Sequence, residues 1–151
     1  SGNPRRDFAA ALFKNNLKVI GIDVTIETHE FGVFIENLFT KQFDAWIIMW
    51  VVPIPINLKI SWYSDLETTP LNFTSYQNLQ VDNLLDELEI VSDKKRKNDL
   101  YKKIQLMLYA DQPCSFLYWV DNIVAYNNRI ENISISPLGS VRNCWSWTVK
   151  N

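Results

Sequence analysis

The sequence predicts an α/β fold, a mixed sheet flanked by helices, and three observations predict it. Amphipathic helical segments alternate with strand-like ones along the first half of the chain. Ile22, Val24 and Ile26 alternate with Asp23, Thr25 and Glu27, the period of two required of a strand with one wet face. The residues from Ala45 to Val52 are apolar without a break, which predicts an interior strand over Phe43 to Val52, covered on both faces. At 151 residues the chain is long enough for one domain with a real core and too short for two substantial ones.

The elements follow in order. Asn3 and Pro4 form an N-cap and first-turn pair, since Asn accepts from free amides and Pro has no donor to waste there. A helix is expected from Pro4 to about Val19, burying Ala9, Phe13, Leu17 and Ile20 and stopping at Gly21. A helix so amphipathic needs a sheet beneath it, and a strand ahead of Ser1 is the expected partner. After the alternating strand, a second helix carries Phe31, Phe34, Ile35 and Leu38 on one side and ends near Lys41 and Gln42. The interior strand follows, then an irregular stretch from Pro53 to Ser75. Asn78 caps a third helix with the stripe Val81, Leu84, Leu85 and Leu88. A fourth helix opens after Ser92 and Asp93, turns Leu100, Ile104, Met107 and Leu108 inward, and stops before Pro113. Ser115 to Val120 and Ile123 to Tyr126 read as strands, with a turn or a bend at Asp121 and Asn122.

Composition excludes several functions. Fifteen basic against seventeen acidic residues leave a net charge of −2, no footprint for nucleic acid, and the basic run Lys94 to Lys97 reads as a solvated helix face. No apolar run reaches the roughly 18 residues of a spanning helix, because Pro53 and Pro55 break the longest. Four glycines form neither a dinucleotide fingerprint nor a phosphate loop. His29 is the single histidine, which leaves no histidine-based triad pair or multi-histidine metal site, and its expected place is a strand-to-helix junction. No catalytic residue, metal ligand or cofactor is assigned.

Asp82, Asp86, Glu87 and Glu89 lie opposite the leucine stripe of the third helix and read as a solvated face. Asn72-Phe73-Thr74 and Asn132-Ile133-Ser134 match the glycosylation sequon, a pattern short enough to arise by chance. Cys114 and Cys144 have no zinc-type spacing; a bridge between them fits an oxidising compartment, and the apolar run around Cys114 favours a free thiol. The chain begins without an initiator Met or a signal sequence and reads as starting inside a longer protein. Six tryptophans are unusual. Trp46 and Trp50 share a strand face, and Trp50 falls at the carboxyl end, the edge at which open α/β sheets meet ligands.

Several landmarks then line up. They are Asn3-Pro4 with Arg6 leading through Leu17 to Ile20-Gly21-Ile22; Phe43-Asp44-Ala45 running to Trp50; Tyr76-Gln77-Asn78 with Val81-Asp82-Asn83-Leu84-Leu85-Asp86; and Gln112-Pro113 through Tyr118, then Ala125-Tyr126 and Pro137-Leu138-Gly139. In this order they resemble the family 5 extracellular solute-binding proteins that serve peptide, nickel and related ABC importers. The resemblance implies a periplasmic-binding-protein-like (type II) two-lobed fold that closes on its ligand by a hinge. Residues 1–126 would be the C-terminal ligand-binding lobe, without its first strand, and 127–151 a segment returning to pack on the other lobe. It also implies a non-enzymatic, exported protein, periplasmic or lipid-anchored outside the cytoplasmic membrane. Its partners would be an oligopeptide or other small solute, the ABC permease subunits and an N-terminal lobe that this chain lacks.

On that resemblance the ligand-binding residues are Trp50, Val51, Val52, Pro53 and Ile54. Peptide-binding members often carry an aspartate three residues after the tryptophan to hold the ligand's ammonium group; here Pro53 stands in that place. A buried ammonium without a counter-charge would cost several kcal/mol, which argues against the usual free peptide. Two other classes fit the residues: a catalytic α/β domain, such as a hydrolase with its nucleophile upstream, and a sensory or scaffold domain on the same fold.

Overall fold

A computed structural model describes residues 3–52, 54–121, 123–136, 139 and 141–150. It resolves into two compact units, Ser1–Cys114 and Ser115–Asn151. No helix among the described residues is long and apolar enough to cross a membrane.

The first unit is helical. Helix α1 spans Pro4–Val19, and the Asn3 side chain accepts from the amides of Arg5 and Arg6, both at 3.2 Å. Its C-terminus closes as the sequence predicts: Gly21 takes φ +84°, its amide donates to the Lys18 carbonyl and that of Ile22 donates to Leu17. This pair of bonds satisfies the last carbonyls and needs a left-handed residue between them. Helix α2, Phe31–Phe39, is capped by Glu30, whose carboxylate accepts from Gly32 at 2.8 Å, and it buries Leu38. Helix α3 is the single turn Lys59–Trp62.

Helices α4, Leu79–Ile90, and α5, Lys94–Asp111, form the core of this unit. Val81, Leu85 and Leu88 of α4 interlock with Leu100, Ile104 and Leu108 of α5, and Leu58, Trp62, Tyr63 and Tyr76 close the edges. The expected stripes hold, with Leu84 and Met107 at the margin. Each helix starts on its expected side-chain cap: Asn78 accepts from Gln80 at 2.9 Å, and Asp93 from Arg96 at 2.7 Å. Helix α5 stops where Gln112 turns left-handed at φ 48°.

The strand expectations fail in detail. Ile22 to Glu27, Ala45 to Trp50, Ser115 to Val120 and the described part of Ile123 to Tyr126 carry no ladder. A strand exists through a hydrogen-bonded neighbour, and none of the described residues pairs with these segments. The sheet that forms instead is a two-stranded antiparallel one in the second unit, β1 Ile130–Glu131 against β2 Thr148–Val149, with Ile130 opposite Val149. Helix α1 shows the same effect. Of its expected stripe Ala9 is buried, Leu17 is half-buried, and Phe13 and Ile20 stay exposed, because no sheet among the described residues lies under it.

The second unit is held by short-range bonds. Asn132 donates to the Thr148 hydroxyl at 3.1 Å, and Lys150 lies 3.2 Å from Glu131. A 3-10 turn, Cys144–Ser146, precedes β2. Cys114 and Cys144 carry free thiols.

Candidate functional site

The site is built outward from Phe73, which is 7% exposed and sits in the loop between α3 and α4. Asn72 locks that loop. Its side-chain amide donates to the carbonyls of Tyr63 and Tyr76 at 3.0 and 2.8 Å, while its oxygen accepts from the Tyr76 amide at 3.0 Å and from the Thr74 hydroxyl at 3.3 Å. The Thr69 hydroxyl adds a bond to the same Tyr63 carbonyl at 3.1 Å. A buried amide whose donors and acceptor are all used fixes its backbone in one shape. Asn72 is therefore a structural residue, buried and unable to accept a sugar in the folded chain.

Around Phe73 three rings meet edge to face: Phe39 at 5.4 Å, Trp46 at 6.0 Å and Trp50 at 6.0 Å between centroids. Phe43 extends the cluster through Trp46 at 6.1 Å. Edge-to-face packing sets the positive rim of one ring against the negative face of the next and fixes their angles. The apolar run from Ala45 to Val52 thus packs through its tryptophans against a loop, with no sheet between. Trp50 has one side on Phe73 and is 39% exposed on the other, while Val51 at 81% and Ile54 at 55% continue the apolar edge outward with Val52. Pro53 lies outside the described residues. The structure gathers Trp50 with Trp46, Phe39 and Phe73. Nothing in the pattern around Phe73 singles it out, since it sits in a stretch without periodicity.

A polar cluster stands beside the helical core. Lys59 reaches Asp86 at 2.7 Å and Glu89 at 2.9 Å, Tyr63 donates to Asp86 at 3.1 Å, and the Lys59 ammonium lies 4.6 Å from the Tyr63 ring centroid. The hydrogen bond to Asp86, then that to Glu89, raises the Lys59 pKa, and the Lys59 bond holds the Asp86 carboxyl below its ordinary value. An open hollow of about 350 Å³ beside them is lined by Asn57, Lys59, Ile60, Tyr63, Thr68, Thr69 and Glu89. The Lys59 ammonium is already held by two carboxylates, so the cluster ties α3 to α4.

Asp82 departs from the expected solvated face. It is 7% exposed and accepts from the Ser64 amide at 3.0 Å, pinning the loop after α3 onto α4. Asn78 bonds three ways: its side chain caps α4, its backbone amide donates to the Ser64 hydroxyl oxygen at 3.0 Å, and its side-chain amide donates to Asp111 at 2.8 Å. The residues Tyr76, Asn78 and Asp82 that carry part of the family resemblance are thus fastenings of the fold. His29 is half-buried just ahead of α2 and 3.2 Å from Glu27, with no strand among the described residues before it where the sequence predicts a strand-to-helix junction. Among the described residues no group of three or more His, Cys, Asp or Glu is placed to hold a metal ion.

No family model matches the sequence. The chain is 27% identical over 148 residues to the oligopeptide-binding protein AppA of Bacillus subtilis, an alignment covering 97% of this chain and 27% of that protein. It is 24% identical over 139 residues to di/tripeptide-binding protein 1 of Pseudomonas aeruginosa, covering 91% of this chain and 26% of that one. Its fold superimposes on the structure of Bacillus subtilis AppA in complex with a nonapeptide with a TM-score of 0.84 at 26% identity, over all of this chain and 30% of the other. On the periplasmic binding protein DppA of Helicobacter pylori, in complex with the peptide STSA, the TM-score is 0.59 at 28% identity over 74% of this chain and 22% of the other. The chain spans about a quarter of the length of these curated relatives. By sequence and by fold it is a homologue of the family 5 extracellular solute-binding proteins, and its helix-rich structure with a small sheet matches a lobe of such a two-lobed protein.

Proposed function

We propose that the chain is the C-terminal, ligand-capturing lobe of the substrate-binding component of an ABC importer, acting by binding and without a chemical step. The observation that carries this reading is the match of the whole chain, in fold and sequence together, to a protein solved with a peptide bound. In this reading residues 1–126 form the lobe and 127–151 return to pack on the N-terminal lobe. The complete protein works outside the cytoplasmic membrane and delivers a peptide-like or other small solute to its permease subunits.

The ligand edge is the stretch Trp50, Val51, Val52, Pro53 and Ile54. Supporting it are the ring of Trp50, gripped on one side by Phe73 and open on the other, and the exposed apolar side chains that follow. A pocket of this kind gains affinity from apolar burial when two lobes close over it. Because Pro53 offers neither a charge nor a backbone donor, the preferred ligand has no free ammonium group at that spot.

Calorimetry on the full-length protein with a free nonapeptide and its N-acetylated form tests both parts. Tight binding of the acetylated peptide, weakened by Trp50→Ala, is the expected result. Binding of neither form removes the peptide-capture reading; tight binding of the free form alone removes the assignment built on Pro53.

A further inference from the structure

Helix α5 turns Leu100, Ile104 and Leu108 into the core. The helical period therefore sets Lys95, Lys102, Leu106 and Tyr109 on the opposite side, flanked by Lys94 and Lys103. All six of these side chains belong to exposed residues, with Leu106 68% and Tyr109 73% accessible. Helix α5 holds six cations against two carboxylates, although the chain as a whole is acidic. Arg96 is engaged by Glu87 at 2.5 Å. Among the described residues no carboxylate stands within ion-pair distance of Lys94, Lys95, Lys102 or Lys103, and Asp99 is the one acid near that face. Lys94 and Lys95 also lie in the first turn, where the helix dipole disfavours positive charge, so local helix electrostatics does not account for them.

We propose that this face of α5 docks on an anionic lipid surface. The lysines meet headgroup phosphates, and Leu106 and Tyr109 enter the boundary between headgroups and acyl chains. The charge complementarity selects an anionic partner. The exposed Leu and Tyr, set between cations whose long stems can reach outward, select a membrane over an acidic protein patch, because an interfacial helix needs both components on one side. The surface shares no residue with the proposed ligand edge, and the inference stands independently of what that edge binds.

Flotation of the full-length, non-acylated protein with phosphatidylglycerol/phosphatidylcholine vesicles, against phosphatidylcholine alone, tests it. The expected result is binding to the anionic vesicles only, released by high salt. Lys95→Gln combined with Lys102→Gln should weaken partitioning by about 30-fold, from the usual contribution of a lysine at such a surface, with the circular dichroism unchanged. Leu106→Ser combined with Tyr109→Ser should lower the remaining binding further. Wild-type binding by the double lysine variant overturns the proposal. So does an absence of vesicle binding together with lysine-dependent binding to detergent-solubilised permease, which would assign the face to an acidic protein surface.

Discussion

The Tyr76 hydroxyl donates to the Asp111 carboxylate across 2.5 Å, joining the residue that leads into α4 to the last residue of α5. Asn78 shares the same oxygen at 2.8 Å. The ends of the two core helices are therefore clasped by one carboxylate, and the clasp titrates at both extremes of pH. Burial first, then the bond to Asp111, pushes the Tyr76 phenol up to about 12. The bonds from Tyr76 and then Asn78 hold the Asp111 carboxyl below its ordinary value.

The signs follow. Tyr76 keeps its proton in the folded chain at a pH where the unfolded phenol, at about 10, has lost it, so its contribution is complete below about pH 10 and is lost as pH rises toward 12. For Asp111 and Asp86 the folded carboxyls are the stronger acids, so their contribution is present above the ordinary carboxylate value of about 4 and is lost as pH falls below it. Urea midpoints should fall as pH drops below about 4 and as it rises above about 10. Tyr76→Phe should shrink the alkaline fall; an unchanged alkaline limb would show that the phenol does not carry it.

Asn72 and Asn132 occupy equivalent sequon positions and should respond oppositely. Asn72→Ala strands the carbonyl and the amide of Tyr76 in a buried loop and leaves the Tyr63 carbonyl to the Thr69 hydroxyl, a loss of roughly 2–4 kcal/mol. Asn132→Ala removes one exposed bond to Thr148 and puts Ala at a left-handed φ of 58°, so it should cost only about 1 kcal/mol. Equilibrium unfolding of both variants measures the difference, and similar values for the two would contradict the network around Asn72.

Phe73 is the ring against which Phe39, Trp46 and Trp50 all rest. Phe73→Ala should cost about 3–5 kcal/mol, the usual range for emptying a buried aromatic site, and Phe73→Leu markedly less. In Phe73→Leu the near-ultraviolet circular dichroism of the tryptophans should weaken while the helical signal persists, because the rings lose a fixed neighbour and the helices do not. A tryptophan spectrum identical to the parent's would mean that Trp46 and Trp50 are positioned by something else.

By itself the sequence determined whatever is local. The caps at Asn3, Asn78 and Asp93, the stop at Gly21 and the stripes of α4 and α5 are set by residues within four or five positions of one another, and the helical period carries that information along the chain. The resemblance to solute-binding proteins was legible for the same reason, because its landmarks include these caps and turns. Only the tertiary structure decided which polar residues are interior. Asp82 looked like one more acid on a wet face until the Ser64 amide met it, and Asn72 looked like a surface sequon until the backbones of Tyr63 and Tyr76 closed over it. It also decided how the apolar run at Ala45 to Val52 is covered. A continuous apolar run predicts cover on both faces and is silent on the partner; here Trp46 and Trp50 rest on the Phe73 ring, more than twenty residues further along the chain, while Met49 and Val51 stay exposed.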